Sequence, residues 1–85
     1  MYTHFILMTQ EFIQPPFVYR GYTKQELAQL YAPSLAPRTA IRRLNEWIKQ
    51  NPKLRRELER TGVTISTQVF RRSQVSIIVE YLGEP

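Results

Sequence analysis

The stretch from residue 22 to residue 50, YTKQELAQLYAPSLAPRTAIRRLNEWIKQ, decides the fold, because capping, periodicity and charge agree on two helices joined by a proline-bounded turn. Thr23-Lys24-Gln25-Glu26 is a capping box: the Thr23 hydroxyl accepts from the Glu26 amide, and the Glu26 carboxylate reaches back to the Thr23 amide. Tyr22 and Leu27 occupy the two positions of a hydrophobic staple. Leu27, Leu30 and Tyr31 then recur at i, i+3 and i+4, and Pro33 stops the helix by about Ala32. Ser34-Leu35-Ala36 makes the turn. Pro37 suits the first position of a second helix, where a missing amide proton costs nothing, although Ala36 is a poor N-cap.

At about 100° per residue, Ala40, Ile41, Leu44, Trp47 and Ile48 fall in one arc of the second helix and Arg38, Arg42, Asn45 and Lys49 in the opposite one. One face is core, with Trp47 as an anchor in its middle, and the other is cationic. A basic helix face is often only a solvated surface. In a second helix of such a pair it also suits a DNA major groove, where arginine pairs with guanine and asparagine with adenine.

Working outward, Asn51-Pro52 opens a third helix with an N-cap and a first-position proline. Leu54 and Leu58 give that helix a narrow apolar edge, Lys53, Arg56 and Arg60 lie in water, and Gly62 stops it. Residues 63–70, with Val63, Ile65, Val69 and Phe70, are β-branched and aromatic enough for one short strand or a ribbon, in the place of a wing. Ser73 is expected to cap a last helix buried along Val75, Ile78, Val79 and Leu82. Ile77 and Tyr81 widen that stripe to the breadth of a dimer seam, and Gly83 ends it.

Residues 1–19 lack a clear period and are broken by Pro15-Pro16, so they read as a leader or arm, partly disordered or folded back through Tyr2, Phe5, Phe12, Phe17 and Tyr19. Met8 offers an alternative start. Residues 20–85 read as the folded domain. The expected architecture is therefore mainly α: a small single-domain four-helix, helix-turn-helix-like fold, with one short strand or ribbon between helices three and four.

Charge separates function classes. The 85 residues carry a formal net charge of +5, and all of the excess lies between Arg38 and Arg60. There Arg38, Arg42, Arg43, Lys49, Lys53, Arg55, Arg56 and Arg60 face only Glu46, Glu57 and Glu59. An excess confined to two consecutive helices suits a polyanion better than a general need for solubility. The candidate contacts are Arg38, Thr39, Arg42, Arg43 and Asn45 to bases or phosphates, and Lys49, Lys53, Arg56 and Arg60 to phosphates. The expected partner is double-stranded DNA. The alternative is an interaction adaptor that binds an acidic protein or forms a homodimer through the last helix.

Catalysis and metal binding have little to stand on. The chain has no cysteine and no aspartate, its one histidine is His4 in the leader, and Glu26 is engaged as a cap. No enzyme, cofactor or metal site is expected. Phe5-Ile6-Leu7-Met8 is too short to span a membrane and lacks a signal-peptide pattern, so a cytoplasmic protein without membrane contact is expected.

Several spaced motifs carry a resemblance: Tyr22-x-Lys24-x-Glu26-Leu27-Ala28-x-x-Tyr31-x-Pro33, then Ala40-x-x-x-Leu44-x-x-Trp47-Ile48, then Asn51-x-x-Leu54-x-x-x-Leu58-x-x-x-Gly62, Gln74-Val75 and Leu82-Gly83-Glu84-Pro85. From about Arg20 onward the chain resembles domain of unknown function 4248, a family of small Bacteroidales proteins without an assigned activity. That resemblance implies a conserved fold and no catalytic site; the family's gene neighbourhoods, which include a small histone-like DNA-binding protein, associate it with DNA. Thr23 to Arg43 also resembles, more weakly, the helix-turn-helix of small regulators and excisionase-like proteins, although the Pro33–Pro37 turn is longer than theirs.

Overall fold

The capping box at Thr23 forms as its spacing predicts. In the computed structural model, which describes residues 16–85, Thr23 Oγ1 accepts from the Glu26 amide at 3.0 Å and Glu26 Oε1 from the Thr23 amide at 2.8 Å. Helix α1 then runs Lys24–Tyr31 and ends at Ala32. Its buried face is Leu27 and Ala28, with Tyr31 packed against the core, whereas Leu30 is exposed. The expected Leu27-Leu30-Tyr31 stripe is thus rotated toward Ala28, which is buried where Leu30 is not.

Helix α2, Pro37–Lys49, has Pro37 in its first turn and no side-chain cap at Ala36. Helix α3, Pro52–Arg60, is capped by Asn51, whose Oδ1 accepts from the Leu54 amide at 3.1 Å. Its end is a Schellman closure: Val63 N–H donates to the Leu58 carbonyl at 3.1 Å and Gly62 N–H to the Glu59 carbonyl at 3.0 Å. Gly62 supplies the positive φ of 96° that this reversal requires.

The ribbon does form, but not as a hairpin within residues 63–70. Strand β1, Tyr22–Thr23, pairs antiparallel with strand β2, Val69–Phe70, in the register Tyr22 with Phe70 and Thr23 with Val69. The Lys24 amide extends the ladder to the Gln68 carbonyl at 2.7 Å. The backbones also approach closely at Gly21, where a Cβ would lie 3.3 Å from the Phe70 carbonyl oxygen. Residues 63–68 are irregular, with a turn at 65 and 66 and Ile65 87% exposed.

Helix α4, Arg72–Leu82, starts one residue before the expected Ser73 cap. Its entry is organised by Gln74, which is buried and fully engaged. Gln74 Oε1 accepts from the Arg71 amide at 2.8 Å, and its Nε2 donates to the Thr61 carbonyl at 3.3 Å and the Thr61 hydroxyl at 3.2 Å. Those bonds tie α4 to the end of α3, and Ser73 falls inside the first turn, exposed. Val75, Ile78 and Val79 are buried, while Ile77, Tyr81 and Leu82 are half-buried against the core.

One core joins all these elements: Leu27 and Ala28 of α1, Ala40 and Leu44 of α2, Leu54 and Leu58 of α3, Phe70 of β2 and the α4 stripe. Phe70, with 0% exposure, is its largest fully buried side chain. Trp47 packs on its margin, edge-on to Tyr31 with ring centroids 6.1 Å apart. Phe17 stacks on Tyr22 and meets Tyr19 edge-on, and Tyr19 donates to Glu84 Oε2 at 2.8 Å, so these aromatics fold back toward the chain end. His4, Met8, Tyr2, Phe5 and Phe12 lie outside the described residues.

Candidate nucleic-acid interface

The cationic face is positioned by the apolar one. Ala40 and Leu44 are buried, and Ile41, Trp47 and Ile48 pack beside them. This turns Arg38, Arg42 and Lys49 outward into water, with Asn45 half-buried between them. At about 1.5 Å per residue, Arg38 to Lys49 extends roughly 16 Å along α2, near half of the ~34 Å repeat of a duplex. No acidic residue lies in the first turn of α2, so that turn supplies no carboxylate of its own to the positive end of the helix dipole.

The remaining candidates do not all join this stripe. Thr39 is half-buried and Arg43 exposed, and both project roughly 100° or more around α2 from Arg38. On α3, Leu54 and Leu58 face the core, and Lys53, Arg56 and Arg60 share an exposed stripe at i, i+3 and i+7.

A cleft of about 400 Å³ adjoins the basic stripe. Its walls bring Arg42, Asn45 and Lys49 of α2 together with Arg55 of α3 and Lys24 of α1. Arg38, Thr39, Arg43, Lys53, Arg56 and Arg60 do not line it. Lys24 is 3% exposed. Its Nζ donates to the Ile65 carbonyl at 3.3 Å and sits 5.9 Å from the Phe70 ring centroid. Burial pushes its pKa below the ordinary lysine value.

A family model described as domain of unknown function (DUF4248) matches residues 18–85. The chain belongs to that family. No curated protein and no solved structure matches it. The DUF4248 match takes in every element of the fold and every candidate contact, from Arg38 to Arg60.

Two residues of this DUF4248 surface were passed over by sequence reasoning. Lys24 has no local signal, because the first position after a cap ordinarily faces solvent, and only the pairing of Gln68–Phe70 onto residues 22–24 encloses it. Arg55 could have been found. It precedes Leu58 by three residues and so borders the apolar edge of α3, unlike Lys53, Arg56 and Arg60. Among the described residues no helix is long and apolar enough to cross a membrane, and no group of three or more histidine, cysteine or acidic residues is placed to hold a metal ion.

Proposed function

We propose that the chain is a small non-enzymatic DNA-binding protein that presents α2 to a duplex in the manner of a helix-turn-helix second helix. The observation behind this reading is the stripe of Arg38, Arg42, Asn45 and Lys49, opposite a buried face that orients it. In this reading Arg38, Arg42 and Asn45 meet base edges or phosphates, and Thr39 and Arg43 flank them. Lys49, Lys53, Arg56 and Arg60 meet phosphates only. Cationic residues on two consecutive helices lower the free energy of a bound polyanion by counterion release, which requires no catalytic group.

The alternative of self-association through α4 has less support. Among the described residues the exposed large apolar side chains are Val18, Tyr19, Leu30, Ile65 and Val69, none of them on α4. Ile77 and Tyr81 pack against the core, and the Tyr81 hydroxyl donates to Glu57 Oε2.

The test is fluorescence anisotropy of a labelled mixed-sequence duplex at about 50 and 200 mM salt. With about five phosphates neutralised, log affinity falls with log salt at a slope of about −4.5. Binding that is absent at low salt, or flat in salt, removes DNA as the partner and redirects the search to an acidic protein.

A further inference from the structure

The cleft beside α2 has a composition that phosphate binding does not need. Its lining includes the apolar residues Ile48, Leu58, Val63 and Phe70, and the Lys24 ammonium lies 5.9 Å from the Phe70 ring centroid. Lysine is almost never fully buried unless it is paired. An ammonium has three donors, yet among the described residues Lys24 Nζ has one acceptor, the Ile65 carbonyl, at the long distance of 3.3 Å. Lys24 is also one of the residues that line the cleft.

The rim repeats the sign of the charge inside. Arg42, Lys49 and Arg55 border the opening, against Glu46 and Glu59, and all five side chains belong to exposed residues. Solvent screens the rim charges, whereas the buried ammonium acts at shorter range and in a less polar setting. The volume of about 400 Å³ lies in the lower part of the range of small-molecule sites, which combine apolar walls with a few convergent polar groups. A duplex cannot enter such a space; a small ligand with an apolar body and one anionic head can.

We propose that this cleft binds small amphipathic carboxylates, with the carboxylate on Lys24 Nζ and the apolar tail against Ile48, Leu58 and Phe70. The ligand supplies the charge-assisted partner that Lys24 lacks and covers apolar wall that water now touches. Both contributions act together only for a molecule that has both ends. An inorganic anion leaves the wall wet, and a neutral apolar molecule leaves the ammonium unpaired. The cleft shares Arg42, Asn45 and Lys49 with the proposed DNA contacts and excludes Arg38, Arg43, Lys53, Arg56 and Arg60, and because its experiment is run without DNA it stands or falls independently of them.

The experiment is an amide chemical-shift titration of the isotope-labelled chain, without DNA, using octanoate, its neutral counterpart octanamide, and acetate. Octanoate is expected to move the amides of Ile48, Leu58, Val63, Ile65 and Phe70 in a saturable manner. Octanamide and acetate are expected to bind roughly tenfold or more weakly, since each forgoes one of the two contributions. Lys24→Met keeps an unbranched apolar side chain in the same space and abolishes the preference for the acid over the amide. Ile65→Glu, at a position 87% exposed and thus harmless to folding, sets a carboxylate at the mouth and weakens octanoate while sparing octanamide. Equal affinities for octanoate and octanamide overturn the proposal, as does an acid preference that survives in Lys24→Met. So do shifts confined to the outer stripe of Lys53, Arg56 and Arg60, or no saturation by about 10 mM, which corresponds to negligible affinity.

Discussion

Reversing two charges on α2 separates a nucleic-acid surface from a solvated one. Arg38→Glu with Arg42→Glu alters two exposed positions one turn apart, on the side of α2 away from Ala40 and Leu44. Neither change removes a buried group, so stability should stay within about 0.5 kcal/mol per site, to be checked by thermal melting. The effect on DNA is much larger. At the low end of about 1.5 kcal/mol for each charge-assisted hydrogen bond, losing two weakens binding roughly a hundredfold at low salt. The salt response changes as well. With about five phosphates neutralised, a fourfold rise in salt weakens the parent roughly 500-fold, and with about three it weakens the variant only roughly 40-fold. Anisotropy titrations at both salts read the two quantities in one experiment. A variant that binds like the parent with the same salt slope refutes the role of α2, and the same loss produced only by Lys53→Glu with Arg60→Glu would move the surface to α3.

Three further predictions address the fold. Gly62→Ala should cost about 1–2 kcal/mol, from the positive φ of 96° alone, since a Cβ there meets nothing within 4 Å; chemical denaturation that finds no loss would refute the Schellman closure. Tyr31, whose hydroxyl donates to the Gly83 carbonyl, has a pKa raised to about 12, chiefly by burial and further by Tyr19 and Glu84. The folded state therefore keeps a proton that the unfolded chain loses near pH 10, and stability falls as pH rises from 10 toward 12, by about 1 kcal/mol after solvent screening. Tyr31→Phe should make that alkaline decline shallower and cost about 0.5–1.5 kcal/mol at neutral pH; an unchanged decline refutes the assignment. For Lys24 the sign is opposite: its lowered pKa means that the unfolded chain binds more protons between the folded value and the ordinary 10.5, so stability rises with pH across that window. Lys24→Met should lack this rise and be at least as stable as the parent at neutral pH, and denaturation at several pH values that finds the same rise in both would refute it.

What the sequence made legible was local. Thr23, Pro37, Asn51 and Gly62 each act on the backbone within about one turn of themselves, and each forms the contact or conformation its spacing predicts. Ser73 failed by the same logic: a local hydroxyl cap competes with Gln74, whose two ends reach Arg71 and Thr61, and the second contact is thirteen residues away. A buried amide with every polar atom engaged outweighs an exposed hydroxyl, and no periodicity in residues 71–75 announces it. The ribbon was only half legible for a similar reason. Two-residue strands have no period to read, so the β-branched residues from Val63 to Val69 signalled extended chain without naming Tyr22–Thr23 as the partner.

That pairing also explains why the cationic stripe was readable and the cleft was not. Arg38, Arg42, Asn45 and Lys49 lie on one helix, and 3.6-residue periodicity alone places them together. Lys24 enters the cleft by a longer route: β2 pairs with β1, the ladder continues to the Lys24 amide, and the chain leading into it carries the Ile65 carbonyl over the ammonium. Remove the pairing and Lys24 becomes an ordinary first-turn lysine in water. The buried ammonium is thus a property of tertiary structure, forty-one residues apart in the chain from its carbonyl partner. Any ligand that prefers the enclosed ammonium must also favour the paired ribbon, because it binds the folded arrangement and not the open one. In amide exchange this coupling has a definite address: octanoate should slow the Lys24 amide, which closes the ladder on the Gln68 carbonyl, more than it slows amides in the middle of α3. Equal slowing of both would mean that the ligand stabilises the domain as a whole, without a link between the cleft and the ribbon.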